Sequence, residues 1–125
     1  MVRGSDYFSR GPRSFGELIT FRKRVNLAAA SQTLTRGQSG QHFVAAVDAV
    51  FTLPASSAAM KGVEYEFSCG ALSGGTGLSI SPAAADAIGG NGLTVVVDKD
   101  LINSGGTDRL GDYVKIICTG ETGAT

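Results

Sequence analysis

His42, the pair Glu64 and Glu66, a glycine-rich loop and two cysteines are the places where this chain of 125 residues could do chemistry. His42 is the only histidine and directly precedes Phe43. An imidazole can serve as a general base or a metal ligand, but one without a second titrating partner nearby reads as a structural side chain, hydrogen-bonded or exposed. Glu64 and Glu66 fall on one face of an alternating run and could be compared with an acid–base pair. With no other convergent groups, they read as solvated carboxylates. The serines lack a Gly-X-Ser-X-Gly nucleophile turn. The stretch from Asp98 to Asn103 invites comparison with a calcium loop, yet the third ligand position would be Ile102 and the closing position Arg109. Gly70 to Gly77 is rich in glycine, but no lysine follows to meet a phosphate and no helix follows to offer its amino end. Cys69 and Cys118 match no zinc spacing and sit on apolar strand faces, which predicts free thiols packed as small hydrophobes. The expectation is a protein that is not an enzyme, with no metal, cofactor or small-molecule substrate.

The elements that would position these groups are strands. From Gly62 to Cys69, Val63, Tyr65, Phe67 and Cys69 fall on one side and Glu64, Glu66 and Ser68 on the other, as in a strand with one buried face. Leu53-Pro54 ends the strand before it, because proline cannot donate to a ladder. Gly62 permits the tight re-entry. Other strands are expected at Gln41 to Val47 with Phe43, Ala45 and Val47 inward, at Val50 to Leu53 as its hairpin partner, and at Leu78 to Ser81. Leu93 to Val97, strongly β-branched, and Asp112 to Thr119 complete the set. The last carries apolar residues on both faces, which places it centrally or at a subunit contact. Residues 55–61 could form one helical turn, residues 83–87 could form a short helix, and Ile88 anchors the corner after Pro82. Residues 36–40, 70–77, 89–92 and 98–107 read as turns and loops.

Eighteen glycines against three prolines, no tryptophan and short strands at roughly ten-residue spacing indicate an all-β domain. The architecture predicted is a small sandwich or flattened barrel of short antiparallel strands. Few large side chains make a thin core, which favours oligomerisation.

The formal net charge is zero, but it is unevenly spread. Residues 1–24 hold six basic side chains against two acidic ones, and the remainder holds five against nine, so a segment of +4 leads into a body of −4. Residues 1–24 therefore read as an extended basic arm and 25–125 as the folded domain. Glycines interrupt every candidate element in the arm, yet Tyr7, Phe8, Phe15 and Phe21 argue that it orders against something. Arg3, Arg10, Arg13, Phe15, Phe21, Arg22, Lys23 and Arg24 are its candidate contact residues. Nucleic-acid binding is disfavoured, because the positive charges are sparse and no groove-reading element is present. No apolar run resembles a signal peptide or membrane span, so synthesis in a cytoplasm is expected.

Leu34-Thr35, Gly40, Phe43-Val44, Val50-Phe51-Thr52-Leu53-Pro54 and Gly62-Val63-Glu64-Tyr65-Glu66-Phe67 together resemble a β-rich module of tailed bacteriophages. Leu78-Ser79-Ile80-Ser81-Pro82, Ile88-Gly89-Gly90-Asn91-Gly92 and Gly111-Asp112-Tyr113-Val114-Lys115-Ile116 fit the same pattern. That module occurs in small capsid decoration (cement) proteins, head fibres and some tail-fibre segments, and the resemblance covers about residues 32–119. It implies a non-enzymatic virion protein, commonly trimeric, on the outer surface of the capsid, with the major capsid protein as its partner. Such modules usually continue past the final turn into a strand with an aromatic residue, whereas here Glu121 to Thr125 follows. This chain would then be a segment of a longer fibre, or a neighbour would supply the closing strand.

The function expected is to bind between major capsid subunits and stabilise the head. The competing reading is the base or a segment of a head or tail fibre that adheres to host-surface glycans. Loops at 70–77, 89–92 and 103–107 that contain no aromatic residue weigh against it.

Overall fold

In a computed structural model of the chain, residues 23–70, 77–103 and 109–121 are described. Eight strands follow in order: β1 Val25–Ala28, β2 Gln32–Thr33, β3 His42–Ala45, β4 Ala49–Thr52, β5 Glu64–Cys69, β6 Leu78–Ser81, β7 Leu101–Asn103 and β8 Tyr113–Ile117. They form two four-stranded sheets, ordered β1-β3-β5-β8 and β2-β4-β6-β7. Among the described residues the fold is all-β, with single 3-10 turns at Arg36–Gln38 and Ala58–Met60.

The strands are laid down as a coil. Each of three circuits leaves one strand in the first sheet and the next in the second, so strands of successive circuits pair in parallel: β1 with β3, β3 with β5, β2 with β4, and β4 with β6. The chain then reverses, and β7 and β8 close the third circuit by antiparallel pairing with β6 and β5. This corrects the expectation of antiparallel strands. Residues 29–31 and 46–48 carry the chain across to the opposite sheet, where the turn expected at Asp48-Ala49 would have folded it back as a hairpin. β4 is accordingly not the partner of β3, and Val47, expected inward, is 45% exposed at the crossing.

Stacking circuits places like positions above one another. Asn26, Phe43, Phe67 and Val114 are in register across the first sheet, and Gln32, Phe51, Ile80 and Leu101 across the second. Phe43, Phe51, Phe67, Leu34 and Ile80 are the largest fully buried side chains. The Phe43 ring lies 5.6 Å from both Phe51 and Phe67, and Phe51 lies 5.2 Å from Phe67. Burial of each ring contributes roughly 1.5–3 kcal/mol as an upper bound. Tyr65 joins this cluster and donates its hydroxyl to the Thr35 carbonyl at 2.7 Å, while burial pushes its phenol pKa up.

The inward set read from the alternation (Val63, Tyr65, Phe67 and Cys69) is buried, and neither cysteine forms a disulfide. Gly62 turns the chain with φ +86°. Ala58–Met60 is the helical turn expected over 55–61, while residues 83–87 form no helix and Ile88 packs against the core as an anchor.

Leu93 to Val97 is not a strand. Its apolar residues are exposed, only Val97 bridges to Ala87, and Asp98 at φ +58° turns the chain away immediately afterwards. Leu101–Asn103, expected as part of a polar loop, takes the edge of β6 in its place. β8 likewise lies at the edge of its sheet, not centrally.

Candidate functional site

The outer face of the first sheet gathers most of the polar chemistry. Alternation sends His42 and Val44 of β3, Glu64, Glu66 and Ser68 of β5, and Tyr113, Lys115 and Ile117 of β8 to this side. Register then sets the rows. Val25, His42, Glu66 and Lys115 lie abreast, and Leu27, Val44, Ser68 and Tyr113 form the next row. Strands about 4.8 Å apart bring neighbours in a row within side-chain reach.

His42 joins the two rows. Its Nδ1 lies 3.2 Å from Glu66 Oε1 and its Nε2 lies 2.8 Å from Ser68 Oγ. The Tyr113 ring stacks on the imidazole at 5.9 Å between centroids and 22° between planes. Lys23 Nζ donates to Glu66 Oε2 at 2.8 Å, and Lys115 Nζ stands 4.0 Å from the same oxygen while pairing with Glu64 at 2.8 Å. Hydrogen bonds from Lys23 and then His42 hold the Glu66 carboxyl down to about 2. Hydrogen bonding to Glu64 and its charge push the Lys115 ammonium up.

An ionised carboxylate can only accept, so Nδ1 carries the proton toward Glu66, and in the neutral tautomer Nε2 then accepts from the serine hydroxyl. Ser68, His42 and Glu66 are thus hydrogen-bonded in series through the two nitrogens of the imidazole. Glu66 is corrected from a solvated carboxylate to a buried, multiply paired one, with a side chain 11% exposed. His42 is fully hydrogen-bonded, one of the two states expected of it. Their meeting across 24 residues required the parallel register of β3 and β5, for which the sequence carries no local signal.

Of the arm residues, Arg3, Arg10, Arg13, Phe15, Phe21 and Arg22 lie outside the described residues. Lys23 and Arg24 are described and are tied to the folded domain. Lys23 is held by Glu66, Arg24 Nη2 donates to the Gly37 carbonyl at 3.3 Å, and the Arg24 carbonyl accepts the His42 N–H at 2.9 Å.

A cleft of about 390 Å³ opens elsewhere, lined by Leu53, Met60, Tyr65, Ile88 and Ile116 among others. On its wall Asp86 accepts the Ser56 N–H at 2.7 Å, and Ser56 Oγ lies 3.2 Å from Cys118 Sγ. Among the described residues, no three His, Cys, Asp or Glu side chains are grouped to hold a metal ion, and no helix is long and apolar enough to cross a membrane. No family model, curated protein or solved structure matches the chain.

Proposed function

We propose that this chain is a structural virion protein: a small two-sheet sandwich that decorates the outer capsid surface between major capsid subunits and stabilises the head. The observation that carries the reading is the outer face of the first sheet. Val25 and Leu27 on one edge are 65% and 69% exposed, and Tyr113 and Ile117 on the other are 57% and 56% exposed. Between them lies the charged centre of Lys23, Glu64, Glu66 and Lys115. Large apolar side chains exposed together on one face are the mark of a surface that another protein covers. Lys23, from the basic segment, is held on this face by Glu66.

The mechanism is mass action. A protein that binds only the assembled lattice stabilises it by its binding free energy, and a trimer would act with three footholds at high effective concentration. The arm's arginines pair with acidic capsid loops and its aromatics fill apolar pockets. The test is particle analysis. Mature heads should carry the polypeptide in many copies, particles lacking it should burst at lower temperature, and Leu27→Glu with Tyr113→Glu should lower its occupancy. Occupancy unchanged by the double substitution, or heads equally heat-resistant without the protein, would overturn the reading.

A further inference from the structure

We propose that Ser68 is an activated nucleophile, with His42 as its general base and Glu66 as the positioning residue, and that it accepts acyl groups from small esters with an apolar acyl chain. This goes beyond shell binding and does not rest on it.

Four observations carry it. The hydrogen bonds run in the order serine, histidine, glutamate, with Ser68 Oγ 2.8 Å from Nε2 and Glu66 3.2 Å from Nδ1. That order, not sequence position, defines such a constellation. The supporting elements are rigid, since β3 and β5 are the two inner strands of their sheet and the imidazole is pressed against Tyr113. Exposure is graded in the useful sense: Glu66 is 11% exposed, the imidazole 20%, and Ser68 half-buried. Leu27, Val44 and Tyr113 share the row of Ser68 and give an acyl chain an apolar bed.

In the reaction, Ser68 Oγ bonds to the ester carbonyl carbon and its proton passes to His42 Nε2. The carbon–oxygen bond to the alcohol then breaks, and the alcohol leaves with that proton. Ser68 keeps the acyl group until water removes it by the same exchange. The N–H of Cys69, next after the nucleophile, is already given to the Asp112 carbonyl at 2.8 Å. It cannot turn to an oxyanion without breaking the ladder, so both acylation and the hydrolysis that follows are expected to be slow beside those of a site with that donor free.

The test treats the full chain with an alkyl fluorophosphonate and maps the adduct by mass spectrometry. Ser68 Oγ bonds to phosphorus, fluoride leaves, and the proton passes through His42 to solvent. One adduct on Ser68 is expected, absent in Ser68→Ala and formed about 100-fold more slowly in His42→Gln. Ser79, whose hydroxyl donates to Asp100 with no imidazole near it, should stay unmodified. Glu66→Gln should slow the adduct and erase the downfield Nδ1 proton resonance of His42. A wild-type chain with no adduct on Ser68, label spread over several serines, or a rate indifferent to His42→Gln would overturn the proposal. The wild-type map decides even where a variant fails to fold.

Discussion

Gln32 Nε2 donates to Asn26 Oδ1 at 3.2 Å, one rung beyond the rings of Phe43 and Phe51. The first circuit thus ends the apolar stack with two side-chain amides that satisfy each other. Among the described residues β1 and β2 have no second neighbour, so this end presents two free strand edges. A polar rung there discourages stack-to-stack pairing. Asn26→Leu leaves the half-buried Gln32 amide without its partner and should cost about 1–3 kcal/mol. Asn26→Leu with Gln32→Leu removes both groups and should recover most of that loss. The double variant should also self-associate at concentrations where the wild type does not, measured by sedimentation beside denaturant unfolding.

Phe43 is the hub of the aromatic cluster, within 6.2 Å of Tyr65 as well as facing Phe51 and Phe67. Phe43→Ala should destabilise by about 3–5 kcal/mol, and Phe43→Leu by much less, because the neighbouring rings belong to two strands in opposite sheets and cannot collapse together into the space. Urea unfolding followed by circular dichroism measures both.

Gly70 is fixed by close approach. A Cβ there would come within 2.4 Å of Val44 Cγ1 and 3.1 Å of the Ala45 carbonyl oxygen. Gly70→Ala should cost about 1–3 kcal/mol by overpacking. Adding Val44→Ala removes the worse of the two contacts, so the pair should be more stable than Gly70→Ala alone. Thermal melts of the four proteins in that cycle test it.

What could be read beforehand was whatever repeats every two residues. Tyr65 and Phe67 inward, Pro54 as a strand end and Gly62 as a turn depend on local sterics and alternation, and a single segment carries them. Which strands pair depends on the whole chain. The tight turn expected at Asp48-Ala49 is a crossing over residues 46–48 to the opposite sheet, and nothing within a few residues separates a hairpin turn from such a crossing. Leu93 to Val97 carries strong β propensity, yet propensity reports fit to a pleated, half-buried surface, and here Leu101–Asn103 occupies that surface. The cluster of Ser68, His42 and Glu66 was hidden for the same reason. Each residue's wet face was legible, but their meeting was a matter of register.

Glu66 gives the molecule an acid-sensitive contact. Its carboxyl is held at about 2, below the ordinary 4.5, by Lys23 first and His42 second. A carboxylate with a lower pKa folded than unfolded makes the unfolded chain bind protons more readily. Its contribution is therefore complete above about pH 4.5 and declines as the pH falls toward 2. The stability difference between wild type and Glu66→Gln should hold steady from neutrality down to about pH 5 and then shrink across that window. Lys23→Met should flatten the same window, since it removes the largest cause of the shift, whereas Lys115→Met should change it little because that ammonium sits 4.0 Å from Glu66 and is committed to Glu64. Denaturant midpoints taken at half-unit steps of pH separate the three variants, and a wild-type curve parallel to that of Glu66→Gln throughout would remove Glu66 as the acid-sensitive group.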